Sequence, residues 1–402
     1  TTHATWRRAW LTTSVLTSFS LLFAFKFLNW IAEFWEIWAP MQQWLAMHCG
    51  DGTNIILPPG ISFYVFEAVS FTVDQYHRKF RLPRLINFFT FLAMFPRFIA
   101  GPIVRYADVN QQFNSWSGMQ LSRGLPLFAL GFMLKVLGAD QFAIFVPYAF
   151  SVSQPDLAQA WIGSTAYTFQ LYLDFWGYSL MATGLGLCLG FRFPDNFRSP
   201  YSSHSITEFW RRWHITLSTW IRDYIYIPLG GSRATLPRVC VNLLIAMTLA
   251  GLWHGANFTF LIWGTYHGAL LSLERLIGSD RLERIPHPIR ILVTFALVHF
   301  GWVLFRSADF AQARTVYSGM FGLNGVIDSF SAVQLQNNPF ALSLAAFGIV
   351  FVTFFERQLI FATPIAEHDF KRWSHFLIWS GFVTALLVSA SSTKIPFLYF
   401  QF

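Results

Sequence analysis

Apolar and polar positions in this chain separate into long blocks and do not alternate along a strand. Residues 11–38 form an apolar block interrupted by a few charges. That exceeds the roughly 20 residues a helix needs to cross a bilayer. Further apolar blocks follow at 56–76, 125–150, 161–193, 239–276, 289–305, 340–361 and 376–389. No strand–helix alternation is visible. The pattern predicts an all-α polytopic membrane protein, one domain over residues 1–402, without repeats or a soluble second domain.

Several blocks are interrupted. Pro58, Pro59 and Gly60 break the second, and Pro96, Arg97, Gly101 and Pro102 lie inside NFFTFLAMFPRFIAGPIV. Such breaks are tolerated at membrane depth only against protein or a cavity, so this stretch reads as broken or re-entrant. SITEFWRRWHITLSTW begins with a capping box, Ser205 and Glu208. Trp210, Trp213, Leu217 and Trp220 then recur at helical spacing, and three arginines make the stretch too charged to span. It predicts an amphipathic helix in the membrane interface. Residues 239–276 have about twice the length of one span. Their flanks are both basic, and the middle, GLWHGAN, is a polar, Gly-containing break. A hairpin or re-entrant pair with His254 at depth follows. The stretch 307–339 is polar and reads as external.

Composition supports this picture. Charged residues make up 12% of the 402, about half the share in a soluble domain, and aromatic residues 19%. The net charge of +8 resides largely in short loops such as HRKFRLPR. That distribution marks cytoplasmic loops, and no nucleic-acid-binding motif accompanies it. Cys49, Cys188 and Cys240 are widely separated and form neither a disulfide framework nor a zinc site. The sequence predicts no metal site and no bound cofactor.

Two histidines, His214 and His254, each follow a tryptophan, Trp213 and Trp253. An ionisable group inside a span is costly and marks function by default. His254, beside Gly255 and Asn257, reads as a general base, since burial disfavours the charged imidazole without preventing proton transfer. The alternative is a histidine satisfied by a backbone carbonyl. His214, beside Arg212, reads as a second site residue or as a head-group contact, and His267 as packing. Arg97 and Lys135 are candidates for an anionic donor group or for internal ion pairs. Asp174 is a candidate sugar contact or a partner for a buried cation. No nucleophile elbow, Walker A loop or H-E-x-x-H motif is present.

The segments WRRWHITLSTWIRDYIYIPLGGSR and GLWHGANFTFLIWGTYHG resemble the membrane-bound O-acyltransferase (MBOAT) family, in its bacterial alginate O-acetylation branch. LPPGISFYVFEAVSF, FPRFIAGPIVRY, QLYLDFWGYSLMATGLGLCLGFRFPDNFRSPY and the closing PFLYFQF add to the resemblance. The match is specific over residues 57–276, the expected catalytic core. The resemblance implies a funnel of transmembrane and re-entrant helices in the bacterial inner membrane. It implies catalysis by His254 with His214; Asn257, Trp253, Trp213, Arg212, Asp174 and Arg97 are the candidate supporting residues. The implied donor is acetyl-CoA or another cytosolic thioester. The implied partners are membrane lipid, a periplasmic or extracellular acyltransferase and a polysaccharide secretion complex. The acceptor would be an exopolysaccharide such as alginate or cellulose. Trp176 and Leu180 stand where such proteins tend to carry polar residues, which leaves the polymer open. Such proteins usually begin with further apolar segments, so the chain is expected to lack its natural start. A polysaccharide-export component without acyl transfer, or a scaffold of a secretion complex, are the rival readings.

Overall fold

The computed structural model describes residues 2–27, 30, 60–98, 100–326, 365–367, 372–391 and 397. Every regular element among them is helical. α1 runs Thr2–Lys26, α2 Ile61–Tyr76, α3 Leu85–Leu92 and α4 Leu121–Met133. α5 spans Leu157–Cys188, α6 Ile206–Arg212, α7 Ile215–Ile221, α8 Leu236–His254 and α9 Phe258–Ile277. α10 (His287–Arg306), α11 (Phe310–Met320) and α12 (Arg372–Ser391) follow. Among the described residues, five stretches are long and apolar enough to cross a membrane: Thr5–Lys26, Leu121–Phe150, Leu236–His254, His287–Arg306 and Ser374–Ser391. The chain is a multi-pass membrane protein. The expected breaks at Pro58 and Pro59, the span at 340–361 and most of PFLYFQF lie outside the described residues.

Three expectations need correction. TTHATWRRAW contains no helix breaker and forms the first turns of α1, so the helix begins well before the apolar block at residue 11, and most of that block after Lys26 lies outside the described residues. The polar stretch after Arg306 is not all loop. Asp309 accepts the Gln312 N–H at 2.8 Å and starts α11, which packs on α5 and α10. The interfacial helix predicted at 205–220 is two buried helices, α6 and α7, broken at Trp213 and His214. The segment read as broken does break. α3 ends at Leu92, a 3₁₀ turn covers Phe95–Arg97, and the chain then runs irregularly to Arg105.

α5 is the pillar of the fold, about 48 Å long at 1.5 Å per residue. Asp156 caps it by accepting the Gln159 N–H at 2.8 Å, and the Gln159 side chain accepts the Asp156 N–H at 3.1 Å. α4 lies against it through glycines seven residues apart on each helix. Gly124 meets Gly184, and Gly131 meets Gly177, backbone to backbone. Small residues allow this approach, which is the favoured packing mode where lipid removes the hydrophobic drive between helices. A side chain on Gly131 would collide with the Gly177 carbonyl oxygen.

α4 then widens into a π-helical turn, Leu134–Ala139, which carries Lys135. Lys135 Nζ lies 2.6 Å from Asp140 Oδ1 and 2.8 Å from Asp174 Oδ1. The three form a buried ionic cluster with two carboxylates on one ammonium. A second buried pair joins Arg97 to Glu67 of α2, and Arg97 also donates to the Phe91 carbonyl. Arg105 Nη1 reaches Asp223 Oδ2 at 2.7 Å and ties the broken segment to a second π-helical turn, Arg222–Tyr226. Partial burial pushes the Asp223 carboxyl up, but the bonds and charges of Arg222 and Arg105 outweigh it and hold the carboxyl below its usual range.

Three apolar cores result among the described residues, the smallest gathering Phe91, Tyr106 and Phe193 around the broken segment. The largest is built on α5, α6, α9 and α10 and includes Trp213, Trp263 and Phe305. The third joins α1, α2, α7 and α8 and includes Trp220 and Trp253. These last two meet at the break between α6 and α7 and at the end of α8.

Lys135→Met strands two buried carboxylates and should cost about 3–5 kcal/mol. Asp174→Asn leaves Lys135 paired with Asp140 and should cost clearly less. Thermal unfolding in lipid compares them, and equal losses would refute the cluster's charge balance. Gly131→Leu should abolish the folded monomer on size-exclusion chromatography, because the α4–α5 contact has no room for a side chain.

Candidate active site

His254 is the last residue of α8. Gly255 follows in extended conformation, and Asn257 starts α9 by accepting the Thr259 N–H at 3.0 Å. The two helices form a tight hairpin because Gly251 and Gly264 face each other. This is the hairpin expected from the basic flanks. α8 is itself about 28 Å long, so His254 sits a full helix length from the basic loop before Leu236. Its ring lies among Trp253 (5.0 Å between centroids), Phe305 (5.0 Å) and Trp263 (5.4 Å). His254 retains 8% of its surface, whereas His214 and His267 are completely enclosed. Its Nδ1 has no hydrogen-bond partner among the described residues.

The carbonyl of Trp253 is one of the acceptors that a helix end leaves without an intrahelical partner. Lys26, at the end of α1, donates to it and lies 5.8 Å from the Trp253 ring centroid. A cation at a helix C-terminus also complements the helix dipole. One interaction therefore anchors α1 and finishes the helix that presents His254.

His214 sits in the break between α6 and α7, with φ 41° and ψ 55°. Non-glycine residues are uncommon in this left-handed region, and holding one there costs about 1–3 kcal/mol. The segment 196–198 supplies what the break lacks. Ile215 N–H donates to the Asn196 carbonyl at 2.9 Å, and Arg198 N–H to the Arg212 carbonyl at 2.9 Å. The Asn196 side-chain oxygen lies 2.9 Å from His214 Nδ1. His214 packs edge-on against Phe175 at 4.7 Å and lies 6.0 Å from Trp253. With zero exposure it is not a head-group contact.

Trp253 touches both histidines, so the structure brings His214, Trp253 and His254 together. The other candidates have different partners. Trp213 stacks among Tyr172, Phe197, Tyr201 and Trp302. Arg212 binds Glu208 and the 199–202 turn. Asn257 caps α9 and donates to the Ala308 carbonyl at 2.8 Å, so its amide shapes the turn and ties it to the start of the 307–309 loop. Arg97 and Asp174 are engaged in the ion pairs described above. His267 is enclosed by Phe209, Trp210, Trp263 and Trp302. Asn196, Thr216, Phe305 and the Lys26 contact escaped the sequence reading, since periodicity carries no signal for contacts between distant segments.

The model of the membrane-bound O-acyltransferase family matches residues 4–280. The chain is 43% identical over 368 residues to a probable alginate O-acetylase, AlgI, of Pseudomonas putida, covering 87% of this chain and 76% of that protein. It is 41% identical to the probable alginate O-acetylase of Azotobacter vinelandii, covering 87% of this chain and 77% of that protein. It is 35% identical to a peptidoglycan O-acetyltransferase of Helicobacter pylori, covering 80% of this chain and 66% of that protein. Both sites of resemblance, the α6–α7 break and the α8–α9 hairpin, lie inside the matched region. The chain therefore belongs to the membrane-bound O-acyltransferase family and is an O-acyltransferase.

Proposed function

We propose that this enzyme O-acetylates an exopolysaccharide, with alginate the first candidate acceptor and cellulose the second, and that His254 is the general base. The observation that carries the assignment is the state of three buried histidines, His214, His254 and His267. His254 alone of His214, His254 and His267 keeps accessible surface, and its Nδ1 is without a partner among the described residues. It also stands between the end of α8 and the start of α9, which fixes its backbone.

The donor is acetyl-CoA or another cytosolic acyl thioester. His254 removes the proton from the acceptor hydroxyl as the oxygen attacks the thioester carbonyl. The new C–O bond forms, the C–S bond breaks, and the imidazolium returns the proton to the departing thiolate. Atoms and charge balance without a further co-reactant. The aromatic rings around His254 keep bulk water away, which limits hydrolysis of the thioester. His214 assists from the other face of Trp253. The setting is the bacterial inner membrane, with a cytosolic donor, an acceptor on the outer side, and periplasmic acyltransferase and polysaccharide-secretion partners. The names of the two AlgI relatives support alginate and an acetyl group.

Purified protein in lipid, given radiolabelled acetyl-CoA and alginate or cellulose oligosaccharides, should transfer label to one polymer. His254→Ala and His254→Gln should lower kcat by about 10²–10⁴-fold. Near-normal transfer by His254→Ala in a folded preparation would refute the assignment. Label on cellulose alone would correct the acceptor.

A further inference from the structure

The side chain of Asn196 is buried and makes three polar contacts that together define its orientation. Its Nδ2 donates to Ser179 Oγ on α5 at 3.0 Å. Its Oδ1 accepts from Thr216 Oγ1 on α7 at 2.8 Å and faces His214 Nδ1 at 2.9 Å. Thr216 Oγ1 in turn accepts the Ile103 N–H at 2.9 Å. The sequence of donors fixes the protons. Thr216 receives one N–H and passes its own hydroxyl proton to Asn196. The amide oxygen carries no proton and can only accept, so His214 Nδ1 must carry one. Reversing the amide would aim a second N–H at Thr216 Oγ1 and take away the acceptor of its hydroxyl proton.

A neutral imidazole has one N–H and one lone pair. With the proton on Nδ1, the lone pair of His214 is on Nε2. That atom is buried and has no partner among the described residues. Its ring adjoins Trp253, the indole on which His254 also packs. An unpaired buried acceptor is costly, and an enclosed water that donates to it removes that cost.

We infer that Asn196 is a positioning residue, which holds the Nδ1–H tautomer of His214 so that Nε2 keeps a lone pair as a hydrogen-bond acceptor for a water molecule enclosed beside the acyl-transfer site. This rests on the reading of His214 as part of the acyl-transfer site. The relay begins at Ile103, in the irregular segment after the Phe95–Arg97 turn, and ends at the α6–α7 break. It gives that broken segment a task in the site. The backbone carbonyl of Asn196, which holds Ile215, is untouched by side-chain substitution, so the tautomer can be altered while the break stays supported.

The experiment combines kinetics with nitrogen-15 NMR of histidine-labelled enzyme in lipid, the His214 signals being assigned by their loss in His214→Gln. The wild type should show a protonated Nδ1 and a lone-pair Nε2. Asn196→Leu should lower kcat about 10²-fold with KM changed less than about threefold, the mark of a group acting in the transition state. Asn196→Asp keeps the oxygen that accepts from His214 but loses the N–H given to Ser179, and should retain more activity than Asn196→Leu. Thr216→Val should fall between them. An Nε2–H tautomer in the wild type overturns the inference, and it does so even if Asn196→Leu fails to fold. Wild-type kcat in folded Asn196→Leu, with His214→Ala inactive, overturns the inference and leaves His214 in the site. Wild-type activity in His214→Ala removes His214 from the site and the inference with it.

Discussion

The constraint on which the structure depends is the satisfaction of backbone N–H and C=O groups without water. In an apolar surrounding each orphan group costs several kcal/mol. A continuous helix meets the constraint alone, and α5 does so over 32 residues. Every interruption needs a donor or acceptor from elsewhere in the chain, and those partners are the cross-links of the fold. Lys26 supplies the end of α8, Asn257 the start of α9, and residues 196–198 both sides of the α6–α7 break. Glu274 of α9 accepts the Ile206 and Thr207 N–H groups at 2.5 and 2.9 Å and so supplies the start of α6. The interruptions are also where His214 and His254 stand. A side chain on an unbroken helix is hemmed by its own neighbouring turns, whereas one at a helix end has a free approach along the axis.

Close packing turns these ends into fixed positions. The α8–α9 hairpin is held by Gly251 against Gly264, with no slack for sliding. Trp263, Phe305 and Trp253 then define the ring position of His254. Catalysis by proton transfer requires placement to within a fraction of an ångström. Rigid aromatic rings supply that more cheaply than long polar side chains, because they lose few rotamers on burial. The ionic clusters do a different job. Lys135 with Asp140 and Asp174, and Arg97 with Glu67, pin the π-turn and the broken segment to their neighbours.

What was legible in the sequence follows from what periodicity and loop charge encode. Spans are long apolar runs, so α8, α10 and α12 were foreseen to within about four residues at their ends. The His254 hairpin was legible because two basic flanks bracket a run too long for one crossing and too short for three. The His214 break was not. Trp210, Trp213, Leu217 and Trp220 keep helical spacing on either side of a two-residue kink, and one left-handed residue leaves no mark on that pattern. The capping box there was half right: Ser205 accepts the Glu208 N–H, but Glu208 turns to the His204 N–H and to Arg212. Asn196 was invisible because its meaning lies in Ser179, Thr216 and His214, which are 17 to 20 residues away in sequence. The charges of Arg97 and Asp174 were noticed, while their partners Glu67 and Lys135 could not be assigned without the fold.

The two Trp–His pairs differ in a way that composition alone hides. In the first, the histidine is the interruption itself: its backbone is strained, its ring enclosed, and its Nδ1 side claimed by an amide. In the second, the histidine closes a regular helix: its backbone is relaxed, the residue keeps a little accessible surface, and its buried Nδ1 has no partner among the described residues. Strain is retained only where surrounding contacts over-determine it, and the Asn196 and Trp213 contacts do so at His214. The enclosed histidine is thereby fixed in a single state, while the relaxed one is free to change its own. A reaction that moves one proton from a hydroxyl to a thiolate needs both properties in adjacent groups. It needs an acceptor whose geometry does not change and a base whose protonation does. The indole of Trp253 adjoins both rings, so the strained, enclosed histidine and the relaxed one are held at a fixed spacing by a single side chain.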